Sequence, residues 1–341
     1  MNHAIDSYRL RRRFGVAALF LVLVVVGAAS LGFGAVDVAP GEVMSVLVQQ
    51  LGLDPTTPPS AQAVGVVWGL RVPRLLMGVI VGAALAVSGA GLQGLLRNDL
   101  ADPHLLGIGP GAAIGAAVGS GLGGVQAAIA GGVFTGVLTA FIVRRIARGR
   151  TADPNRLILA GVALGATLSA WVGFVVFGSD RAVVPPIEFW LLGSLSGATW
   201  RGLGTVAVFL VVGVLALLGV ARTLDILVLG HREAAHLGVD VGLFTTICLI
   251  VTGVVVGATV GVAGVIVFVG LLIPQLMRPV TGPFHRHLML GSLVAGAVFV
   301  ASADLVARLA IEPIELPVGL VTSVLGGPMF LWIVSRRRRV V

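Results

Sequence analysis

The stretch LLMGVIVGAALAVSGAGLQGLL, from Leu75 to Leu96, decides the fold class of this chain. It holds no charged residue, and its only polar side chains are Ser88 and Gln93. A bilayer core of about 30 Å requires roughly 20 consecutive apolar residues in one helix. Its glycines are small residues of the kind that let membrane helices approach closely. The stretch therefore predicts a helix that crosses a membrane.

The composition of the whole chain extends this prediction. Among 341 residues, 57% are apolar and 11% are charged, whereas about a quarter are charged in a typical soluble domain. All 23 basic residues are arginine, so the chain lacks the lysine of a P-loop ATPase or of a Schiff-base enzyme. The single cysteine, Cys248, excludes an internal disulfide and a cysteine metal cluster. The net charge of +8 has an explanation in membrane topology, so we do not expect nucleic acid as a partner.

Further uncharged runs predict an all-α, polytopic membrane protein with ten transmembrane helices in a single permease domain, residues 1–341. The first run follows a cluster of arginines, so a cleaved signal peptide is the alternative for that run alone. The predicted spans are Phe14–Phe33, Leu75–Leu96, Leu105–Val125, Gln126–Val143, Leu157–Ser179, Gly202–Ala221, Val241–Val260, Gly261–Met277, Leu288–Ala303 and Val318–Ser335.

Arginine placement sets the orientation of these spans. With both termini in the cytoplasm, 18 of the 23 arginines lie inside, as the positive-inside rule requires. The inside set is Arg9, Arg11, Arg12, Arg13, Arg97, Arg144, Arg145, Arg148, Arg150, Arg156, Arg222, Arg232, Arg278, Arg286 and Arg336 to Arg339. The outside set is Arg71, Arg74, Arg181, Arg201 and Arg308.

Two weaker patterns concern the segments outside and within the spans. The proline-rich stretch after Phe33 predicts an outside loop with a short interfacial helix. VGAALAVSG (Val81–Gly89) is echoed by VGATVGVAG (Val256–Gly264) in a span of opposite direction. An inverted repeat would produce this echo, and so would coincidence in a chain rich in Gly, Ala and Val.

Three arginines are predicted to lie at the outer side of the helix bundle, contrary to the positive-inside rule. Arg71 and Arg74 stand in RVPR, and Arg308 lies near the outer end of the ninth span. They could form an exposed cationic patch that pairs with the carboxylates of an acidic partner. Interfacial snorkelling is one alternative. For Arg308, an internal ion pair with Asp304 at i−4 is another.

Three other segments are polar or irregular. Arg97–Ala113 predicts a cytoplasmic turn with a broken helix, tolerated at membrane depth only where protein or a cavity surrounds it. Glu188–Trp200 predicts a small re-entrant or surface helix on the outside. LGHREAAHLGV (Leu229–Val239), within the cytoplasmic loop 222–240, predicts a short amphipathic helix bracketed by Gly230 and Gly238. His231 and His236 are five residues apart and off one helical face, so we expect no metal site.

Motifs along the chain resemble the FecCD-type permease family, the membrane subunits of bacterial ATP-driven importers for ferric siderophores, haem and cobalamin. The match covers nearly the whole chain. Its motifs are RVPR (Arg71–Arg74), VGAALAVSGAGLQGLLRN (Val81–Asn98), WLLGSLSGATW (Trp190–Trp200), LGHREAAHLGV (Leu229–Val239), FVGLLIPQLMR (Phe268–Arg278), GPFHR (Gly282–Arg286) and ELPVGLVTSVLGGPMFLW (Glu315–Trp332).

The resemblance implies partners. It implies a second copy of the permease or a paralogue, two cytoplasmic ATPase subunits, an extracytoplasmic binding protein and the lipid of a bacterial inner membrane. No cofactor is expected on this chain, because ATP and Mg²⁺ belong to the ATPase.

The resemblance also implies roles for particular residues. Arg71, Arg74 and Arg308 would meet acidic residues of the binding protein, and Asn98 and Leu100 would belong to a cytoplasmic gate. The fifth and tenth helices would line the path together with Gly193 and Ser194. The coupling helix to the ATPase would contain Gly230, Arg232, Glu233, Ala234, Leu237 and Gly238.

Three positions depart from the family pattern. Asp99 replaces a proline, Gln275 replaces a histidine, and His231 stands where an acid commonly follows the first glycine of the coupling helix. The first of these leaves the backbone of the gate loop open.

Other function classes make different demands on the sequence. An ion-coupled secondary transporter would place an acid or histidine within a span, and only Asp304 lies near one. A channel would need a selectivity filter, and an enzyme a catalytic constellation. The resemblance implies instead a permease that hydrolyses nothing itself and carries a ferric siderophore or related metal chelate, with an ion-coupled secondary transporter as the alternative of a different class. Haem and cobalamin are the alternative cargoes.

Overall fold

Helices form the body of the protein in the computed structural model, which describes residues 2–55, 57–147, 154–178, 191–311 and 314–337. Within these ranges the only β pairing is an isolated bridge between Ile311 and Ile314. A π-helical turn, Gly65–Arg71, joins α3 to α4. The helices are α1 (Asn2–Gly32), α2 (Pro40–Gln50), α3 (Ala61–Val64), α4 (Val72–Leu96), α5 (Ile108–Ile146), α6 (Pro154–Gly178), α7 (Trp200–Gly219), α8 (Ala221–Leu227), α9 (His231–His236), α10 (Val241–Ala263), α11 (Val269–Thr281), α12 (His285–Leu309) and α13 (Val318–Arg337).

The prediction of an all-α polytopic membrane protein with about ten crossing segments is confirmed. Seven of the described helices are long and apolar enough to span a bilayer, and α5 counts as one of them. Among the described residues, the 318–333 part of α13 is a shorter apolar helix, and α11 has 13 residues. The short helix expected after Phe33 is present as α2. Arg148, Arg150, Arg181, Arg338 and Arg339 lie outside the described residues.

The long helix α5 is two helices folded against each other. The backbone leaves helical geometry at Gly123 and Gly124, and the two halves then pack face to face. A Cβ at Gly115 would collide with the carbonyl of Gly131. This reversal matches the predicted boundary between the third and fourth spans.

The boundary between the seventh and eighth spans is corrected by the structure. We expect the eighth span at Gly261–Met277, but residues 261–263 still belong to α10 and α11 begins only at Val269. The break comes from two residues in the left-handed region, Gly264 (φ 69°) and Phe268 (φ 68°). An apolar run cannot reveal such a turn, because every residue in it has the same hydropathic character.

The first helix is bound to the rest of the protein at its outer end. Arg71 donates to the carbonyls of Leu31 and Gly32, and Arg308 donates to Ser30 Oγ at 2.6 Å. A Cβ at Gly27 would make ordinary contact with Leu75 on α4. These contacts favour a retained span over a signal peptide.

Two glycine crossings hold the bundle together. On α4, Gly82 faces the backbone of Gly296 on α12; on α10, Gly257 faces the backbone of Gly132 on α5. A Cβ at Gly82 or Gly257 would collide with the opposite carbonyl. Gly82 and Gly257 occupy equivalent positions in the echoed segments Val81–Gly89 and Val256–Gly264. Because both glycines pack against the backbone of a glycine on another helix, the structure favours an inverted repeat over coincidence.

The segment between α4 and α5 is partly enclosed by protein, although Arg97, Leu100 and Leu105 are exposed. Ala101, Asp102 and Leu106 are at most 4% exposed. Gly107 packs against α6, where a Cβ would lie 2.9 Å from the backbone nitrogen of Gly165. This is the broken helix, partly surrounded by protein, that the sequence predicts for Arg97–Ala113.

Candidate functional site

The side chain of Arg71 caps the C-terminal end of helix α1. Its Nη1 donates to the carbonyl of Leu31 at 2.6 Å and of Gly32 at 3.0 Å, and Nη2 donates to the carbonyl of Val36. The last carbonyls of a helix have no intrahelical partner, and a cation is favoured at that end of the helix dipole. With 5% of its surface exposed, Arg71 connects the end of α1 to the start of α4.

Arg74 forms ion pairs with two carboxylates at the same time. Its Nε donates to both oxygens of Asp304, at 2.9 and 3.1 Å, and its Nη1 donates to Glu315 Oε2 at 2.8 Å. The two acids differ in environment, because the Asp304 side chain is 3% exposed and that of Glu315 is 42% exposed. Asp304 is thus the inner partner of Arg74, and Glu315 is the outer one.

Arg308 completes this outer cluster of Arg74, Asp304, Arg308 and Glu315. Its Nε lies 3.3 Å from Asp304 Oδ2, one helical turn away, while Nη2 donates to Ser30. The internal ion pair that the sequence left open for Arg308 is therefore present. An exposed ion pair contributes about 0–1 kcal/mol, whereas removing one partner of a buried pair such as Arg308–Asp304 costs about 3–5 kcal/mol.

The expectation of an exposed arginine patch is wrong for this structure. Arg71 and Arg308 are at most 8% exposed and the Arg74 side chain 11%. Their guanidinium groups bind carbonyls and carboxylates of this chain, since a charge at the edge of the apolar core needs such partners. The docking role of these residues stays a prediction, and the exposed group of the cluster is a carboxylate, Glu315.

The predicted gate residues lie in a tight turn after α4. Arg97 ends the helix in the left-handed conformation. The Asn98 side chain then accepts a hydrogen bond from the backbone N–H of Leu100 at 2.9 Å. Leu100 is 44% exposed, so an apolar side chain projects from this turn.

Two departures from the family pattern meet in this turn. Gln275 Nε2 donates to the carbonyl of Asp99 at 2.8 Å, and the Asp99 carboxylate lies 2.9 Å from Arg278 Nη2. Arg278 also donates to Gln93 Oε1 at 3.3 Å. Asp99 and Gln275 thus connect the gate turn to α11. The sequence did not determine the backbone conformation of this turn, because Asp99 replaces a proline. In the structure, hydrogen bonds from Leu100 N–H to Asn98 and from Gln275 to the Asp99 carbonyl fix that conformation.

We expect Asp99→Asn to loosen this turn without unfolding the protein. The pair is partly exposed, at 26% for Arg278 and 35% for Asp99, so its loss should cost less than about 1 kcal/mol. Hydrogen–deuterium exchange should rise in peptides covering residues 97–107, while the melting temperature falls by less than about 3 °C. Gln275→Ala should give the same local rise. Unchanged hydrogen–deuterium exchange in both variants would contradict the conclusion that Asp99 and Gln275 hold the turn against α11.

The short helix predicted at Leu229–Val239 is confirmed as α9. Gly230 precedes it at φ 135° and Gly238 follows at φ 88°, conformations that favour glycine. Ala234 is fully buried, while Arg232, Glu233, Leu237 and Gly238 are exposed. His231, the third departure, is the first residue of the helix. The helix therefore rests on Ala234 and presents charged and apolar groups outward.

Asp225 on α8 and His285 at the start of α12 connect the segment that precedes α9 to the bundle. Both the backbone N–H and the ring Nδ1 of His285 lie 2.8 Å from Asp225 Oδ1. His285 is 2% exposed and packs on Gly94, where a Cβ would collide with its ring. Gly94 adjoins Gln93, which contacts Arg278. A continuous series of contacts therefore runs from α8 to the gate turn.

The segment Gly193–Ser194, which is predicted to line the pathway, lies between α10 and α13. The backbone N–H of Ser194 donates to the Ala263 carbonyl at 2.8 Å, and that of Gly319 donates to the Gly193 carbonyl at 3.2 Å. A Cβ at Gly193 would collide with the carbonyl of Val265. Of the expected surface helix, residues 188–190 lie outside the described residues, and residues 193–199 form turns rather than a helix.

Sequence reasoning missed three partners of the predicted site. Glu315 stands in the motif that begins ELPVG and His285 stands in GPFHR, but the sequence assigns no role to either of them or to Asp225. A charge argument could have found Glu315, because it shares the outer side with Arg74. Nothing in the local sequence pairs Asp225 with His285, which stand 60 residues apart.

Comparison with known proteins agrees with this geometry. The profile of the FecCD transport family matches residues 21–336. The hemin transport system permease protein HmuU of Yersinia pestis is 38% identical over 280 residues, 80% of this chain and 84% of the relative. The vitamin B12 import system permease protein BtuC of Klebsiella pneumoniae is 37% identical over 329 residues, 95% and 93%.

A solved structure extends the similarity to three dimensions. An inward-facing metal-chelate type ABC transporter superposes with a TM-score of 0.82 at 29% identity, covering 94% of this chain and 98% of that one. Sequence and fold thus agree over nearly the full length. The chain belongs to the FecCD transport family and is a permease subunit of an ABC importer.

Proposed function

We propose that this permease carries a ferric siderophore or a related bulky metal chelate across a bacterial inner membrane. The observation that carries the proposal is the near full-length match, in sequence and fold, to permeases of this kind. Two similar relatives are named for hemin and for vitamin B12, so haem and cobalamin are the second candidates for the cargo. All three candidates are large chelates. A path that binds its cargo only weakly allows such a bulky substrate to pass through.

The energy comes from a partner subunit. As an ABC permease subunit the chain binds no cofactor, and ATP is bound by the ATPase. We propose a complex of two permease copies, or this chain with a paralogue, with two ATPases and an extracytoplasmic binding protein. Both termini would lie in the cytoplasm, because ten crossings place them on the same side and the arginine bias assigns that side to the cytoplasm.

The helix α9 is our proposed contact with the ATPase. Its outward face holds Arg232, Glu233 and Leu237, and the adjoining Val228 and Leu229 are 52% and 65% exposed. An apolar surface rimmed by charges is typical of a protein interface. Motion of α9 would reach the gate turn through Asp225, His285 and the α4–α11 contacts, which is a rigid-body mechanism.

We expect Leu237→Asp to prevent assembly with the ATPase. Leu237 is 63% exposed, so the substitution should leave the fold intact while placing a charge in an apolar contact. Recovery of the ATPase on affinity-purified permease should fall about tenfold or more, the loss expected for a central interface residue. The matched control is Leu51→Asp at the outer end of α2, 77% exposed, which should retain the ATPase. Equal recovery with both variants would contradict the contact.

The remaining roles concern the path and its two ends. We propose that Asn98 and Leu100 close the cytoplasmic side, and that α6, α13 and the Gly193–Ser194 segment line the route. The outer cluster would receive the binding protein. The hydrogen bonds of Ser194 to Ala263 at the end of α10 and of Gly319 to Gly193 support a coupled movement of α13 and this segment.

The decisive experiment is uptake into vesicles that contain the permease, its ATPase and its binding protein. Iron-siderophore, haem and cobalamin are offered separately, with ATP supplied on the ATPase side and ion gradients dissipated by ionophores. We expect ATP-dependent uptake of one chelate and none with a hydrolysis-deficient ATPase. Uptake driven by a proton gradient without the ATPase would instead identify an ion-coupled secondary transporter.

A further inference from the structure

The outer cluster contains one carboxylate that is fixed and one that can leave. Asp304 is 2% exposed and touches both Arg74 and Arg308. Among the residues that the structure describes, Glu315 forms its ion pair with Arg74 alone. It lies in the segment between α12 and α13, and its side chain is 42% exposed. Two arginines and one buried aspartate leave one positive charge, which Glu315 neutralises from the solvent side.

We propose that Glu315 is a placeholder for a carboxylate of the binding protein. In the undocked permease it occupies the outer Nη1 of Arg74. On docking, an acidic side chain of the binding protein takes that position, and Glu315 turns into solvent. The inference rests on the proposed function, since it assumes that this face receives a binding protein, and it adds an internal competitor for the site.

The environments of the two acids make this exchange feasible. An exposed ion pair is weak, because water and salt compete for both charges, so releasing Glu315 changes an affinity by no more than about fivefold. Asp304 cannot be exchanged in this way, because its removal would leave buried guanidinium groups without a counter-charge. One carboxylate replaces another, so Arg74 keeps two acidic partners before and after docking.

A placeholder explains why the guanidinium groups are covered in the isolated chain. A bare positive charge at this position would attract any anion or anionic lipid headgroup. A tethered carboxylate suppresses such contacts until a partner supplies enough additional contacts to displace it, a form of selection against wrong partners. The partner is therefore an acidic protein surface rather than a lone anion.

The test measures the affinity of the purified binding protein for the permease–ATPase complex in nanodiscs at low salt. Glu315→Gln should tighten binding about two- to fivefold, because the competitor loses its charge. Arg74→Gln should weaken it about tenfold or more, because the receiving group is lost. Asp54→Asn removes one negative charge from an exposed site in the same outer segment as α2 and should leave the affinity unchanged.

The outcomes separate this inference from the proposed function. Unchanged or weaker binding by Glu315→Gln, together with the loss in Arg74→Gln, would overturn the placeholder and leave the docking site intact. Equal tightening by Asp54→Asn would also overturn it, because a general electrostatic field would then be responsible. If Arg74→Gln binds as well as the unaltered complex, the docking site itself is wrong.

Discussion

Replacing Gly82 with leucine is expected to abolish folded permease. The Gly82 position on α4 faces the carbonyl of Gly296 on α12, and a single Cβ would already collide with that backbone. Overpacking a core usually costs about 1–3 kcal/mol when side chains can move; here the obstacle is a helix backbone, so we expect a loss above that range. Since net stability is typically only about 5–15 kcal/mol, the yield of monodisperse protein should fall at least tenfold.

The matched control is Gly204→Leu on α7. Gly204 is an exposed helical glycine with no atom within 4 Å of a Cβ placed there, so the same substitution should preserve the monodisperse yield. Gly257→Leu should be as damaging as Gly82→Leu, because Gly257 faces Gly132 in the equivalent crossing. Size-exclusion profiles of the three variants in one detergent provide the comparison. A normal profile for Gly82→Leu would refute the crossing.

Asp304→Ala is expected to destabilise the outer half of the bundle severely. The substitution leaves Arg74 and Arg308 without their shared counter-charge in an environment where Arg308 is 8% exposed. Breaking a buried pair in this way costs about 3–5 kcal/mol. The melting temperature in detergent should therefore fall by several degrees or more, and α1 should loosen because Arg308 also binds Ser30.

Glu315→Gln supplies the control for the charge. It removes the exposed partner of the same arginine and should shift the melting temperature by no more than about 3 °C. Asp304→Asn should lie between the two variants, because the amide still accepts a hydrogen bond but carries no charge. If Asp304→Ala and Glu315→Gln destabilise equally, the distinction between fixed and exchangeable acids is wrong.

The approximate number of crossing segments could be predicted from the sequence, and their direction stays a prediction. The bilayer imposes a length of about 20 apolar residues on a helix and a bias on arginine, and both can be counted along the chain. The short helix α9 could be predicted for a similar reason, because Gly230 and Gly238 bracket it with residues that tolerate positive φ. These features depend on neighbours in sequence.

The partners of the polar residues could not be predicted in this way. Arg74 meets Glu315 across 241 positions, and Gln275 meets Asp99 across 176. The prediction of an exposed patch failed because hydropathy shows which side of the membrane an arginine lies on but not which carboxylate lies beside it. The departures at Asp99 and Gln275, which raised doubt when considered separately, form one contact in the folded protein.

The amino-acid sequence by itself determined that this protein is a helical membrane protein, because hydropathy, glycine content and arginine bias are set by the solvent around each segment. Its resemblance to the FecCD transport family, rather than its composition, identified it as a permease. Only the tertiary structure decided how its charges are used. The low dielectric of the packed interior forces each buried charge to find a partner, and packing of α4 against α11 and α12 determines which partners are within reach.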